Sequence, residues 1–267
     1  MKAKESGVKM SEFEGDRIAK VIARAGVCSR RDAERFIAEG RVMLNGTVLA
    51  SPAVNVKDSD DIRVDGKALP RQEPMRLWRY HKPAGLVVSH KDPEGRPTVF
   101  EALKDRLPRV ISIGRLDLNT EGLLLLTNDG ELARLLELPA TGWVRRYRVR
   151  AHGRGDPEAL AALKDGITIE GIHYGPIEAA VEKQQGANVW LDFAIREGKN
   201  REVKKVCDHL RLEVNRLIRT TFGPFTLGDL ARDAIAEVPP RDLRAHLGQK
   251  PQLPEPNADR RRHAQRA

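Results

Sequence analysis

The sequence predicts an α+β protein in two parts, a small module of two helices and a hairpin followed by a larger, strand-rich domain. Three observations predict it. Two stretches of helical apolar spacing come first, and two short β-prone runs then flank Asn45-Gly46. The segment Asp65–Met75, DGKALPRQEPM, holds two prolines and no periodic pattern, which marks a connector. Beyond it the apolar residues arrive in short runs bounded by turn residues, the pattern of buried strands. The expected division is a flexible start over 1–14, the module over 15–65, a linker over 66–75, the larger domain over 76–247 and a disordered basic tail over 248–267.

In the module, Ile18, Val21, Ile22 and Ala25 lie on a helical spacing within Asp16–Ala25, and Gly26 ends it. Ser29 stands three residues before Asp32, a capping pattern that opens a second helix. That helix carries Ala33, Phe36 and Ile37 on its apolar face and stops at Gly40. Val42-Met43-Leu44 and Thr47-Val48-Leu49 about Asn45-Gly46 are a strong hairpin signal. From Arg17 to Arg41 seven basic residues face three acidic ones. Lys20 and Arg24 share one helix face; Arg31 and Arg35, with Arg30 beside them, share one on the next. The residues alone allow a solvated helix surface or a polyanion-binding face.

Composition bounds the partners. The 267 residues are 40% hydrophobic, enough for a core in the larger part. Lys and Arg number 47 against 38 Asp and Glu, a net +9 that suits a polyanion. Nucleic acid fits better than a membrane, because no apolar run nears the ~20 residues of a span. The start MKAKESGVKMSEFEGD has no apolar signal core, so a cytoplasmic location is expected. Cys28 and Cys207 form no CxxC pair and read as reduced, buried thiols. None of the seven histidines has a metal-ligand spacing, and there is no GxGxxG or P-loop; neither metal nor cofactor is expected.

In the larger domain Arg76–Tyr80 alternates as a strand, and the turn His81-Lys82-Pro83-Ala84-Gly85 leads to a strand over Leu86-Val87-Val88. DPEGRPTVFEAL follows, where Arg96 is either a phosphate contact or a turn-stabilising arginine. The stretch GRLDLNTEGLLLLTNDG sets Asp117 in a polar turn between Val110–Ile113 and Leu123–Leu126. Asp117 there caps the turn or is aimed into a cleft. A helix is expected over Glu131–Leu138, then an alternating strand over Trp143–Arg150. Period two puts Arg146, Arg148 and Arg150 on one face and Arg145, Tyr147 and Val149 on the other. Tyr147 is a core residue or a stacking ring beside basic side chains. Asp156–Leu163 reads as a surface helix with Pro157 at its first turn, and 166–195 as strands. FAIREGKNREVKKV is a strand, a glycine turn and a basic helix start, a phosphate site by charge and by its amides.

GRLDLNTEGLLLLTNDG resembles the catalytic motif of the RsuA/RluB branch of RNA pseudouridine synthases, over seventeen consecutive residues. The resemblance spans about residues 15–245. It implies an S4-type RNA-binding domain at the front, on the hairpin GRVMLNGTVL, and a synthase domain on a mixed, mainly antiparallel sheet. It makes Asp117 the catalytic aspartate, with Arg115 beside it in the substrate site. Tyr147 falls on the tyrosine that stacks on the target uracil, with Arg145 where lysine is usual. EGKNREVKK matches EGKNRQVRR, which makes Lys204 the cation that pairs with the aspartate. Glu202 there replaces the common glutamine, and the RsuA branch tolerates lysine at 204. Leu217 in VNRLIRTTFGP would line the uracil pocket, while Arg96, Arg146, Lys199 and Arg201 would bind substrate. Lys20, Arg24, Arg30, Arg31 and Arg35 would anchor RNA at the front. DPEGRPTV is most similar to the RluB-type enzymes of large-subunit (23S) ribosomal RNA. The expected substrate is therefore ribosomal RNA, acted on by a monomer without cofactor; small-subunit RNA, transfer RNA and a non-catalytic ribosome-binding role are the rivals.

Overall fold

The computed structural model describes residues 15–138 and 141–247, and the chain divides between Met75 and Arg76 into two units. The expected flexible start and basic tail lie outside the described residues.

In the first unit a short strand β1 (Asp16–Arg17) precedes helices α1 (Ile18–Arg24) and α2 (Arg30–Ala38). Strands β2 (Val42–Leu44), β3 (Thr47–Val48), β4 (Asn55–Val56), β5 (Ile62–Val64) and β6 (Lys67–Ala68) follow. The first helix is shorter than expected because Asp16 and Arg17 are extended and pair with Val56 and Asn55. Ser29 caps α2 by accepting from the Asp32 amide at 3.0 Å. Asn45 and Gly46 both have positive φ, the geometry that joins β2 to β3 in the right-handed twist of a hairpin. Asp65 and Gly66 do the same between β5 and β6, so the expected linker begins with a strand of the antiparallel β3-β2-β5-β6 sheet. Ile18, Ile22, Ala33, Ile37 and Val42 are fully buried between helices and sheet.

The second unit is built on one nine-stranded sheet. Its strands are β7 (Leu77–Lys82), β8 (Ile111–Ile113), β9 (Thr120–Thr127), β10 (Arg145–His152), β13 (Glu178–Gln185), β14 (Asn188–Ile195), β15 (Glu213–Phe222), β16 (Phe225–Thr226) and β17 (Ile235–Glu237). The order is β13-β14-β10-β15-β9-β7-β17, with β8 on β9 and β16 on β15. Only β15 and β9 run parallel; every other pair is antiparallel. Strands β11 (Ile167–Ile169) and β12 (Ile172–Tyr174) form a separate hairpin. Helices are α3 (Val99–Leu103), α4 (Gly130–Glu137), α5 (Pro157–Ala162), α6 (Glu202–His209) and α7 (Pro240–Leu247). The strand expected over Leu86–Val88 is reduced to a single bridge from Val87 to Thr98, because Val87 spends its amide and carbonyl on the Pro97–Val99 segment.

The four leucines of β9 are all fully buried, which places covered layers on both faces of this central strand. Leu124 and Leu126 join Tyr80, Val149, Phe193 and Leu217 in the main core, and α6 adds Val203, Val206 and Cys207. The parallel seam sets Thr120 opposite Leu217 and Gly122 opposite Arg219. A Cβ on Gly122 would fall 2.3 Å from the Arg219 carbonyl oxygen, so only glycine lets the two strands close there.

Candidate active site

The turn before β9 is held from below. The sequence alternation of β7 puts Trp78, Tyr80 and Lys82 on its buried phase, and Lys82 is 0% exposed. Its Nζ donates to the carbonyl oxygens of Pro83 (3.0 Å), Asp117 (3.2 Å), Leu118 (3.2 Å) and Thr120 (2.9 Å). The Gly85 amide donates to the Leu118 carbonyl, and the Thr120 amide to that of Asp117. Burial pushes the Lys82 ammonium down to about 8, while the charges of Asp117 and Glu121 pull it back up. Lys82 is thus the clamp of the aspartate turn. An ionisable residue on the inward phase of an apolar strand was the signal for it.

With its backbone fixed, Asp117 presents its carboxylate outward. The side chain is 40% exposed and receives no backbone amide among the described residues, so it does not cap its own turn. Its Oδ2 lies 3.3 Å from Lys204 Nζ. Lys204 lies in the first turn of α6, whose apolar phase (Val203, Val206, Cys207) is sunk in the core and leaves Lys204 beside the aspartate. Lysine contributes one point charge here, not the fork of an arginine. The loop ahead of α6 is shaped by Glu202, 3% exposed, which accepts from the Lys199 amide at 2.7 Å. Burial raises Glu202 above the ordinary carboxylate value, against the pull of the Lys199 amide. Arg201 takes a left-handed backbone at the N-cap.

Tyr147 and Leu217 face the same core as Leu116, one residue before Asp117. Tyr147 is 8% exposed and stands in register with Arg219 of β15. Arg219 is itself buried; its Nε donates to the Leu123 carbonyl at 2.8 Å. Sequence reasoning passed over Arg219, although it shares the inward phase of Leu217 two residues earlier.

The other expected binding residues separate into two groups. Arg146 alternates to the opposite face of β10 and pairs with Asp192 (3.0 Å) and Glu178 (3.4 Å), so it is not beside Asp117. Arg148 on that face is forked to Glu182, and Arg216 to the buried Glu121. Arg96 pairs with Asp92 through two nitrogens and with Glu94, which is the turn-stabilising role. Lys199 is bound to Glu197 and the His173 carbonyl, both at 2.6 Å. In contrast Arg115 and Arg201 are exposed and, with Lys205, carry no ion pair among the described residues. In the first unit Lys20 and Arg24 both reach Asp16, and Arg35 reaches Asp32 and Glu39. Arg30 and Arg31 are exposed and unpaired among the described residues. Both cysteines are free and buried; burial pushes Cys207 up to about 12, which keeps it a thiol. Among the described residues no group of three or more His, Cys, Asp or Glu could hold a metal, and no helix is long and apolar enough to cross a membrane.

Residues 76–209 match the family of RNA pseudouridylate synthase, and residues 16–62 match the S4 domain. An uncharacterized RNA pseudouridine synthase of Rickettsia felis is 49% identical over 222 residues, 83% of this chain and 96% of that protein. Ribosomal large subunit pseudouridine synthase B of Pseudomonas aeruginosa is 42% identical over 254 residues, covering 89% of this chain and 64% of that protein. A crystal structure of a pseudouridylate synthase superposes with a TM-score of 0.60 at 27% identity, covering 86% of this chain and 99% of the other. An S4 domain followed by a mixed, mainly antiparallel synthase sheet is what the fold shows, and the chain belongs to the RNA pseudouridine synthase family.

Proposed function

We propose that the protein isomerises uridine to pseudouridine at a specific position in large-subunit (23S) ribosomal RNA, with Asp117 as the catalytic carboxylate. One observation carries the reading: a half-exposed carboxylate on a turn clamped by a buried lysine, 3.3 Å from a second cation. The reaction breaks the bond from ribose C1′ to uracil N1 and forms one from C1′ to C5. The C5 proton leaves and N1 gains one, so the sum is unchanged and no redox partner is called for. A carboxylate serves such a reaction as nucleophile or base only while ionised. Lys204 stands beside it as counter-ion, and the Lys82 clamp keeps the turn from swinging as RNA binds.

The target base must leave its stack, at a cost of a few kcal/mol. Tyr147 and Leu217 then hold it on its two faces, the ring offering a stacking surface. Arg115, Arg201 and Lys205 flank Asp117 and Lys204 in sequence and form no ion pair among the described residues. On the opposite face of β10 and β15, Arg146, Arg148 and Arg216 are matched to acids. Phosphates are therefore expected along the Asp117 face. DPEGRPTV and the likeness to the Pseudomonas aeruginosa large-subunit synthase support 23S RNA as the target.

Pseudouridine mapping of total RNA from cells with and without the gene tests this. Loss of one 23S site, restored by wild type and not by Asp117→Asn, is expected. A lost site in 16S or transfer RNA would overturn the target, and restoration by Asp117→Asn would overturn the role of Asp117.

A further inference from the structure

Arg219 is a buried cation with no carboxylate beside it among the described residues. It is 2% exposed, stands in register with Tyr147 on one side and Gly122 on the other, and cannot drift where β9 and β15 close over Gly122. Its Nε donates to the Leu123 carbonyl, Nη2 has no hydrogen-bond partner among the described residues, and the Phe222 ring lies 5.2 Å away. Tyr147, its register partner on β10, is the polar side chain that acts on the guanidinium among the described residues, and Arg145 is close enough to repel it. Burying a guanidinium costs several kcal/mol, and an apolar residue of similar length would fill the same space at less cost. Exposure this low rules out a direct phosphate contact.

We infer that Arg219 is a positioning residue for Tyr147: anchored on the Leu123 carbonyl, it fixes the tyrosine hydroxyl and so the plane in which the ring meets the target base. The inference rests on the reading that Tyr147 contacts that base. A phenyl ring without this tether would sit in the same pocket and rock about its long axis. Stacking that is off by a fraction of an ångström or some tens of degrees slows a reaction that depends on alignment.

The test is single-turnover conversion of an rRNA transcript that the wild type modifies, with full-length enzyme in excess and RNA affinity measured in parallel. Arg219→Met and Tyr147→Phe should each slow conversion by about 10- to 100-fold with affinity unchanged. The double variant should be no slower than the slower single, because both changes cut the same tether. Arg219→Lys, which keeps charge but loses the fork, should fall between wild type and Arg219→Met. If Arg219→Met does not fold by circular dichroism, the cycle is run with Arg219→Lys. Multiplicative losses in the double variant, or a wild-type rate for Tyr147→Phe, overturn the inference. A wild-type rate for Tyr147→Ala would instead remove Tyr147 from the substrate site, a separate failure.

Discussion

A carboxylate that works on RNA must be reachable and held in place, and different neighbours supply the two conditions at Asp117. The Lys82 clamp takes up the backbone oxygens of the turn, which leaves the side chain free to face solvent. Lys204 then stands against the carboxylate as its counter-ion. Asp117→Asn keeps the shape and removes the charge. It should abolish conversion while RNA still binds; residual activity within about tenfold of wild type, ~1.4 kcal/mol of barrier, would speak against the assignment. Lys204→Arg should retain most activity. Lys204→Met should be strongly impaired in single-turnover conversion, because the carboxylate loses the counter-ion that stands 3.3 Å from it. If Lys204 only touches a phosphate, Lys204→Met will weaken RNA binding and leave the single-turnover rate at saturating enzyme unchanged.

At the scale of elements, two buried ionisable groups hold the loops that carry the site, and their pH effects differ in sign. Lys82 is pushed down to about 8 in the fold, below its ordinary 10.5. Between those values the unfolded chain binds more protons, so this group's contribution to stability rises with pH over that window and is constant below it. Lys82→Met would leave carbonyls of the turn without their donor and should cost about 2 kcal/mol or more, read as a lower denaturation midpoint. Glu202 is shifted the other way, raised above 4.5 by burial at the start of α6. There the folded state binds more protons, so stability falls as pH rises past 4.5. Glu202→Gln keeps the acceptor for the Lys199 amide and removes the titration. It should raise Tm at pH 7, with the gain fading below pH 4.5; an equal gain at both pH values would show that ionisation of Glu202 is not the cause. The strands themselves were legible because short apolar runs and alternation are local signals. The Asp65-Gly66 hairpin carried the same signal as Asn45-Gly46 but was masked by the prolines that follow it. The parallel seam of β9 and β15 was not legible, since its register joins residues nearly a hundred positions apart. The pairing of Asp117 with Lys204 was legible from motif position. The ion pairs of Arg146 were not, because its acids arrive from β13 and β14, whereas those of Arg96 lie within DPEGR and match its turn-stabilising alternative.

At the scale of the whole molecule, the count of 47 lysines and arginines overstates how many cations are offered to RNA. In the first unit, α1's Lys20 and Arg24 converge on Asp16, and Arg35 and Arg41 are bound to nearby acids. Arg30 and Arg31, at the first turn of α2, are left as the exposed pair among the expected anchors. Each phosphate neutralised by a basic side chain contributes about 0.7–0.9 to the slope of log affinity against log salt. A front module that binds RNA through this pair should therefore account for a slope change of roughly one to two, not five. Deleting residues 1–75 should leave a folded synthase domain, since the first unit keeps its own core of Ile18, Ile22, Ala33 and Ile37. The truncated protein should bind rRNA more weakly, with a shallower salt slope. Arg30→Glu with Arg31→Glu in the full chain should reproduce most of that loss, while Lys20→Glu with Arg24→Glu should act mainly through stability by breaking the Asp16 contacts. Filter binding at several salt concentrations, paired with thermal melts, separates these outcomes. A truncated protein with wild-type affinity and slope would place the RNA contacts in the synthase domain alone, on the cations around Asp117.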